Sequence, residues 1–452
     1  MTEIRTLAKF VRELTWEDVP DQVKEAVKNV VLDSVGVGIG ACQSEGIQKV
    51  TSEFSALGQK DETAGVWGQN RKMSLENAIF INAMEGHTLE LDDVHTDSKT
   101  HIGTVVVPAA WGMAQCLESS GQELLLAVLC GYEVVSRIGM ALGVSSHRNR
   151  GWHATSTAGI FGAAAACGKL LGLGEDGLVW AMGMAGEEAC GTWAFLGDGA
   201  GCKVLNPAVA ASNGAKCAIL AKAGMTGPEH VLTVEDGGML AAMSDSFDVT
   251  LVAENLGQTW EILKMDNKPY PCCRSTHCVI DGILKLRELY GIRAEAVDHV
   301  DVYTYLVGNK QCGMSPGSRR PTIPVEAKFS SPFTAACALV DGRVGLESFT
   351  PEHIGKPELQ AMVSRVKVIT DEAFTDKYPE HWGCRIELFC KDGKNYEITV
   401  PDASGSVDNP LTRRQLLEKI SGVLGRVLPK DRVEQTMEVL LSLDQAARVP
   451  FL

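Results

Sequence analysis

Apolar residues recur at helical spacing through the first part of the chain, in "EAVKNVVLDSVGVGIGAC" (25–42), "ENAIFINAMEGHTLEL" (76–91), "QELLLAVLCGYEVVSRIGMAL" (122–142) and "STAGIFGAAAACGKLLGL" (156–173). No segment before about residue 265 alternates as a strand does, so this stretch reads as all-helical. Small residues punctuate the helices, as at Gly159, Gly162, Ala163 and Ala166. Each glycine costs a helix about 1 kcal/mol, and what it offers in return is close approach of two helix axes. A tightly packed helical domain is expected.

The texture changes after Trp260. Proline-punctuated "KPYPCCRS" leads into a helix, "THCVIDGILKLRELYGI", and period-two segments follow: "HVDVYTYL" (299–306), "RVKVITD" (365–371), "RIELFC" (385–390) and "DGKNYEITV" (392–400). An Asp-Gly turn joins the last two as a hairpin. From Thr412 the helical period returns, opened by a Thr412/Gln415 capping box and running through "VEQTMEVLLSL". The expected fold is mainly α: a large all-helical domain of residues 1–266 and 407–452, with a smaller α+β lid, 267–406, inserted before the C-terminal helices. Within that lid "SPGSRRPTIPVEAKFSS" (315–331) reads as a loop-like cover carrying Arg319 and Arg320.

Composition narrows the functions on offer. The 452 residues carry a formal net charge of −15, which repels nucleic acid and anionic membranes at long range. A small anion would therefore need a local cationic pocket. No run reaches the roughly 18 to 20 uninterrupted apolar residues of a membrane span, and the charged amino terminus lacks a secretory apolar core. These features predict a cytoplasmic location. The fourteen cysteines are spread singly through apolar runs, except in "PCCRSTHC" (271–278), which has no second pair at zinc-finger spacing. Neither a metal nor another cofactor is expected.

Four clusters carry candidate chemistry. "ELDDVHTDSKTHIG" (90–103) gathers Asp92, Asp93, His95, Asp97, Lys99 and His101, and carboxylates beside imidazoles tune one another for proton transfer. "SSHRNRGWHATS" (145–156) sets His147, Arg148, Arg150 and His153 before a helix start at Thr155 or Ser156, a pattern suited to an anion or to a plain basic loop. Lys203 is the one lysine in the small-residue stretch "LGDGAGCKVLNPAVAASNG" (196–214), whose glycines lack the preceding strand of a nucleotide-binding loop. At the domain junction, Lys268, Tyr270, Arg274 and His277 come together, with arginine suited to a bidentate grip on a carboxylate.

Taken in order, "GHTLELDDVH", "HIGTVVVPAAWGMAQ", "GWHATSTAGIFGAAAACGKLLGL", "GCKVLNPAVAASNGAKCAILAKAGMTGP", "KPYPCCRSTHCVIDG" and "VEAKFSSPFTAACALVDG" resemble the MmgE/PrpD family over nearly the whole chain. The resemblance implies a homodimer with a cofactor-free site between its helical and α+β domains. It also implies catalytic roles for Asp92, Asp93, His101, His153, Lys203 and His277, with Lys268, Tyr270, Arg274 and Arg150 binding substrate. Family reactions pass through a carbanion-like centre beside a carboxylate of a small di- or tricarboxylic acid. Lys203 and Arg274 would hold carboxylates while an imidazole moves the proton and Asp92 or Asp93 orients it. A dehydratase of a citrate-like acid is the leading expectation; an imino- or aminodicarboxylate epimerase, a cis-aconitate decarboxylase and a non-catalytic dimeric carboxylate-binding protein are the alternatives. Three positions depart from the family pattern: Glu90 where relatives have aspartate, Ile102 after His101 where proline is usual, and Phe333 where decarboxylases have tyrosine, which counts against cis-aconitate.

Overall fold

The computed structural model of the chain describes residues 1–57 and 62–452. Six helices carry most of the larger core: α1 (Asp21–Ala41), α2 (Leu75–Thr88), α3 (Gly103–Cys116), α4 (Gly121–Ala141), α5 (Gly159–Leu170) and α6 (Leu205–Lys222). Helix α5 lies at the centre, packed against α3, α4 and α6, and small residues make that possible. A methyl group on Gly162 would sit 2.2 Å from Val135 and 2.6 Å from the Gly131 carbonyl of α4; one on Gly214 of α6 would sit 2.6 Å from the Ile160 carbonyl. The glycines written into these helices are where their backbones touch.

Helix α4 is apolar and long enough, by length and composition, to cross a membrane. It is instead a core helix, and its charges show why it stays in protein surroundings. Arg137 and Glu133 are fully buried in it; Arg137 donates to the carbonyls of Glu254 and Thr259, and Glu133 accepts the Ile262 amide at 3.1 Å. The pair anchors the irregular segment that leads towards the second core.

That second core is built on a four-stranded sheet: β1 (Val297–Thr304), β2 (Val366–Thr370), β3 (Cys384–Cys390) and β4 (Asn395–Val400), in the order β2-β1-β3-β4. Only β1 and β2 run parallel. Gly393 turns the β3–β4 hairpin at φ +87°, a left-handed conformation that the Asp-Gly pair supplies. Helices α7 (His277–Tyr290) and α8 (Ser331–Val340) cover the sheet and share its apolar core with Val300, Val302, Ile386 and Leu388.

The chain crosses between the two cores near residues 266–272 and again near 403–412, and the crossings are tied together. Asn267 donates its amide to Gly405 O at 2.8 Å, and Asp266 Oδ1 accepts the Val407 amide at 3.1 Å. Beyond them α9 (Arg413–Leu424) and α10 (Lys430–Leu441) return to the helical core. Thr412 and Gln415 form the capping box of α9, and Ile420 packs where a methyl group on Gly36 of α1 would be.

Two local expectations need correction. The N-terminal part contains short strands: Ala64–Val66 with Arg71–Met73, and Val94–His95 with Met265–Asp266. Pairs this short are set by tertiary neighbours, so no alternation of two or three residues could reveal them. The segment 315–331 is also less loop-like than expected, since Pro316–Arg319 and Pro324–Lys328 are helical turns, each with proline in its first turn. Arg319 donates to Gly313 O and Arg320 is exposed; neither faces the cavity described below.

Candidate active site

Where α2 ends, the chain turns through Glu90 at φ +59°, a left-handed conformation that a non-glycine residue seldom holds without tertiary support. The support is two ammonium groups. Lys203, on the helical turn just before α6, places Nζ 2.5 Å from Glu90 Oε1. Lys268, on the first crossing between the cores, places Nζ 3.4 Å from Oε2 and 3.8 Å from Asp92 Oδ1. All four side chains are buried. Burial alone would push Glu90 towards its neutral form, but Lys203 and Lys268 outweigh it and hold the carboxyl well below its ordinary range. Burial likewise works against the Lys268 ammonium, and Asp92 and Glu90 more than restore it.

Asp92 sits between two imidazoles. His87 Nδ1, from α2, is 3.0 Å from Asp92 Oδ2, and His101 Nδ1 is 2.6 Å from the same oxygen. His101 Nδ1 also lies 3.1 Å from the Asp93 carbonyl oxygen. Both of its neighbours are acceptors, so Nδ1 carries the hydrogen and Nε2 keeps its lone pair. Burial, reinforced by Lys268 and only partly offset by Asp92, lowers the His101 pKa to about 4 and keeps the ring neutral at ordinary pH.

Asp93 points the other way. Its carboxyl accepts the Tyr132 hydroxyl at 2.6 Å and the Gly103 amide at 3.0 Å, at the start of α3. Burial, opposed by the Tyr132 hydrogen bond and aided by Asp33 and Asp92, pushes it up to about 7. Asp93 thus fixes the loop that carries His101 and does not face the cavity.

A cavity opens beside this cluster, between the two cores. Glu90, His101, Lys203, Lys268 and Arg274 line it, together with Lys99, Arg148, Trp193, Tyr378 and Trp382. His153 is buried with its ring edge-on to Trp193 at 4.7 Å; burial and Lys203 hold its pKa well below the usual imidazole value, and its Nδ1 has no partner among the described residues. His277 is buried at the start of α7 with its Nε2 3.3 Å from Cys272 O. Burial, Arg274 and Lys268 keep it neutral, and it does not line the cavity. Arg274 gives Nε to Asp266 at 2.8 Å and leaves Nη1 buried and unpaired.

The structure therefore brings His101, Lys203, Lys268 and Arg274 to the wall of one cavity, sets Asp92 behind His101 and His153 behind Trp193, and places Asp93 and His277 outside the lining as well. Two substrate-binding expectations are corrected. Arg150 is exposed and pairs with Asp245 at 2.6 Å on the surface, because the turn that buries His147 and His153 points the intervening arginine outward. Tyr270 donates its hydroxyl to Asp281 at 2.6 Å and packs edge-on against His277, away from the cavity. The helix after His153 is a single turn with no side-chain cap; Thr155 instead accepts the His101 amide at 3.0 Å. Phe333 is fully buried in the second core against Phe349, so it touches no ligand and selects none by contact.

Residues that sequence reasoning left out matter as much. Glu90, read there only as a departure, is the hub of the cluster. His87 lies in an apolar helical pattern and gave no signal of its own. Tyr378 and Trp382 come from a stretch without any motif. His87, Asp92 and His101 also hold three potential ligand atoms within 4.8 Å of one another, a donor set that would suit a cation.

Sequence models of the MmgE/PrpD N-terminal and C-terminal domains match residues 5–252 and 270–445. The second match takes in α9 and α10, although those helices pack on the first core. Cis-aconitate decarboxylase of Aspergillus terreus is 27% identical over 97% of this chain and 92% of its own length. The cis-aconitate decarboxylase-like protein oryM of Aspergillus oryzae is 28% identical over 98% and 95%, and the Homo sapiens cis-aconitate decarboxylase is 27% identical over 97% and 91%. With both domains matched across nearly its full length, the chain belongs to the MmgE/PrpD family.

Proposed function

We propose that this chain is a lyase that decarboxylates a small unsaturated tricarboxylic acid of the cis-aconitate type. Its relatives of matching length support decarboxylation over the dehydration that the sequence ranked first. The observation that carries the reading is a neutral imidazole, His101, backed by Asp92 at 2.6 Å and set beside the buried Lys203–Glu90–Lys268 bridge. Loss of CO2 breaks a carbon–carbon bond and leaves its electron pair on an allylic carbon. The pair delocalises over the double bond onto a neighbouring carboxylate, and a proton then closes the new C–H bond. Lys203 and Lys268 are ammoniums placed beforehand where that carboxylate gains charge, so they need no rearrangement as the reaction proceeds. Without substrate His101 is neutral; a bound polycarboxylate beside it, together with Asp92, favours uptake of a solvent proton at Nε2, and from there the proton passes to the carbon.

A second reading, dehydration of a hydroxy tricarboxylate, is favoured by a neutral imidazole, His101, and ammonium groups, Lys203 and Lys268, lining the same cavity. Dehydration needs one group to take a proton and another to protonate the departing hydroxyl; His101 Nε2, backed by Asp92, fits the first role and an ammonium of the cavity wall, Lys203 or Lys268, the second. None of the relatives named above is an epimerase, and that alternative is not carried further. Incubating the protein with cis-aconitate and, separately, with 2-methylcitrate separates the two. CO2 release from the first, with one solvent deuterium in the product from D2O, is the expected result. Alkene formation from the second without CO2 would support dehydration, and inertness towards both would overturn the proposal.

A further inference from the structure

The cavity holds more cations than its chemistry at Glu90 uses. Lys203 and Lys268 share Glu90, and Arg274 gives one edge to Asp266. Arg148 and Lys99 have no such partner. The Arg148 guanidinium lies flat over Trp193, its central carbon 4.4 Å from the ring centroid, and forms no ion pair or side-chain hydrogen bond among the described residues. Its Nε is buried and unsatisfied. Lys99, held at φ +57°, places Nζ 4.0 Å from the Trp382 ring centroid and 5.2 Å from that of Tyr378. Its nitrogen donates to the carbonyls of Thr96 and Pro379 and reaches no carboxylate. Tyr378 lies within electrostatic range of Arg148 as well, and Asp266, Asp97 and Arg274 lie within that of Lys99, although neither carboxylate forms an ion pair with it. The unpaired Nη1 of Arg274 thus belongs to the same wall.

We propose that Arg148 and Lys99, with the free edge of Arg274, form a second carboxylate-binding subsite at the less buried end of the cavity, which selects acids with three carboxylates over acids with two. The inference rests on the lyase reading above and deepens it. A guanidinium stacked on an aromatic ring is held in place without being neutralised, so the charge of Arg148 stays available to a ligand. Burial pushes the Lys99 pKa well below its ordinary value, and an incoming carboxylate favours the charged form. An unsatisfied buried guanidinium N–H loses free energy until a ligand accepts from it, which makes the third carboxylate a condition of tight binding. The groups at this end move no proton in the proposed reaction; their contribution is to position the acid.

The test uses two unreactive acids, propane-1,2,3-tricarboxylate (tricarballylate) and succinate, titrated calorimetrically into the wild-type protein and into Arg148→Gln, Arg148→Lys and Lys99→Met. The wild type is expected to prefer tricarballylate. Arg148→Gln is expected to narrow that preference about tenfold, the effect of losing a charge-assisted hydrogen bond, with succinate changed less than twofold. Lys99→Met is expected to act in the same direction while keeping its contact with Trp382, and Arg148→Lys to recover part of the loss. Equal weakening of both acids, or an unchanged ratio in a variant with wild-type circular dichroism, overturns the subsite. A wild-type protein that turns over a tricarboxylate yet shows no preference for tricarballylate overturns the subsite alone. One that binds neither acid and turns over none overturns the lyase reading with it.

Discussion

His101 is useful because of what its other nitrogen touches. With Nδ1 hydrogen-bonded towards Asp92 and the Asp93 carbonyl, Nε2 is the atom left to exchange a proton with substrate. Asp92→Asn keeps the shape but removes the charge that supports an imidazolium, so kcat is expected to fall about 100-fold or more, within the usual span of general acid–base effects, with a smaller change in KM. Steady-state kinetics on cis-aconitate checks this, and a near-normal kcat would remove Asp92 from the mechanism. Asp93 makes a different prediction. Its pKa is raised from 3.8 unfolded to about 7 folded, so it takes up a proton on folding. The stability it contributes is fully present below about pH 4 and is lost as pH rises through about 7. Asp93→Asn removes that dependence, so its Tm deficit relative to wild type at pH 5 is expected to shrink by pH 8. A deficit that stays constant or grows in paired melting curves would contradict the assignment. At this scale the chain announced Asp92, His101 and Lys203 through unusual residue types in glycine-rich surroundings. It did not announce Glu90, whose role comes from lysines 113 and 178 positions further along.

Element by element, periodicity located the helices and the four main strands because each buries one face, and burial is what makes spacing visible in sequence. Gly162 shows what periodicity could not give. It marked a close approach without saying to which helix, whereas the fold sets it against Val135 and the Gly131 carbonyl. Gly162→Ala is expected to destabilise by about 1 to 3 kcal/mol in denaturant unfolding, the cost of overpacking, although alanine has the higher helix propensity. A neutral or stabilising result would mean the α4–α5 contact relaxes freely. The strands Val94–His95 and Met265–Asp266 were invisible for the opposite reason: each is only two residues long and exists because the other does.

Over the whole molecule, the site depends on two crossings of the chain between cores. Asp266 joins them, accepting from Thr96 at 2.8 Å, from Val407 at 3.1 Å and from Arg274 at 2.8 Å. Asp266→Ala leaves Arg274 buried and uncompensated, which typically costs about 3 to 5 kcal/mol. Both thermal stability and kcat/KM are expected to drop. Loss of stability with unchanged kcat/KM would show that the crossings hold the cores together without shaping the cavity between them. The net charge of −15 acts at this scale too, opposing the approach of an anion that only the local cations of the cavity can hold.

The sequence by itself determined the mainly helical architecture, the later α+β segment, the family and most of the ionisable side chains, since each is written in local spacing or in residue type at a fixed place. Tertiary structure decided which of those side chains meet. Direction and partner are long-range properties: Arg148 and Arg150 are two residues apart, yet one lines the cavity on Trp193 and the other is spent on Asp245 at the surface. The same physics turned Glu90 from a substitution into the hub of the site, because a buried carboxylate persists only where cations from elsewhere in the chain are brought to it.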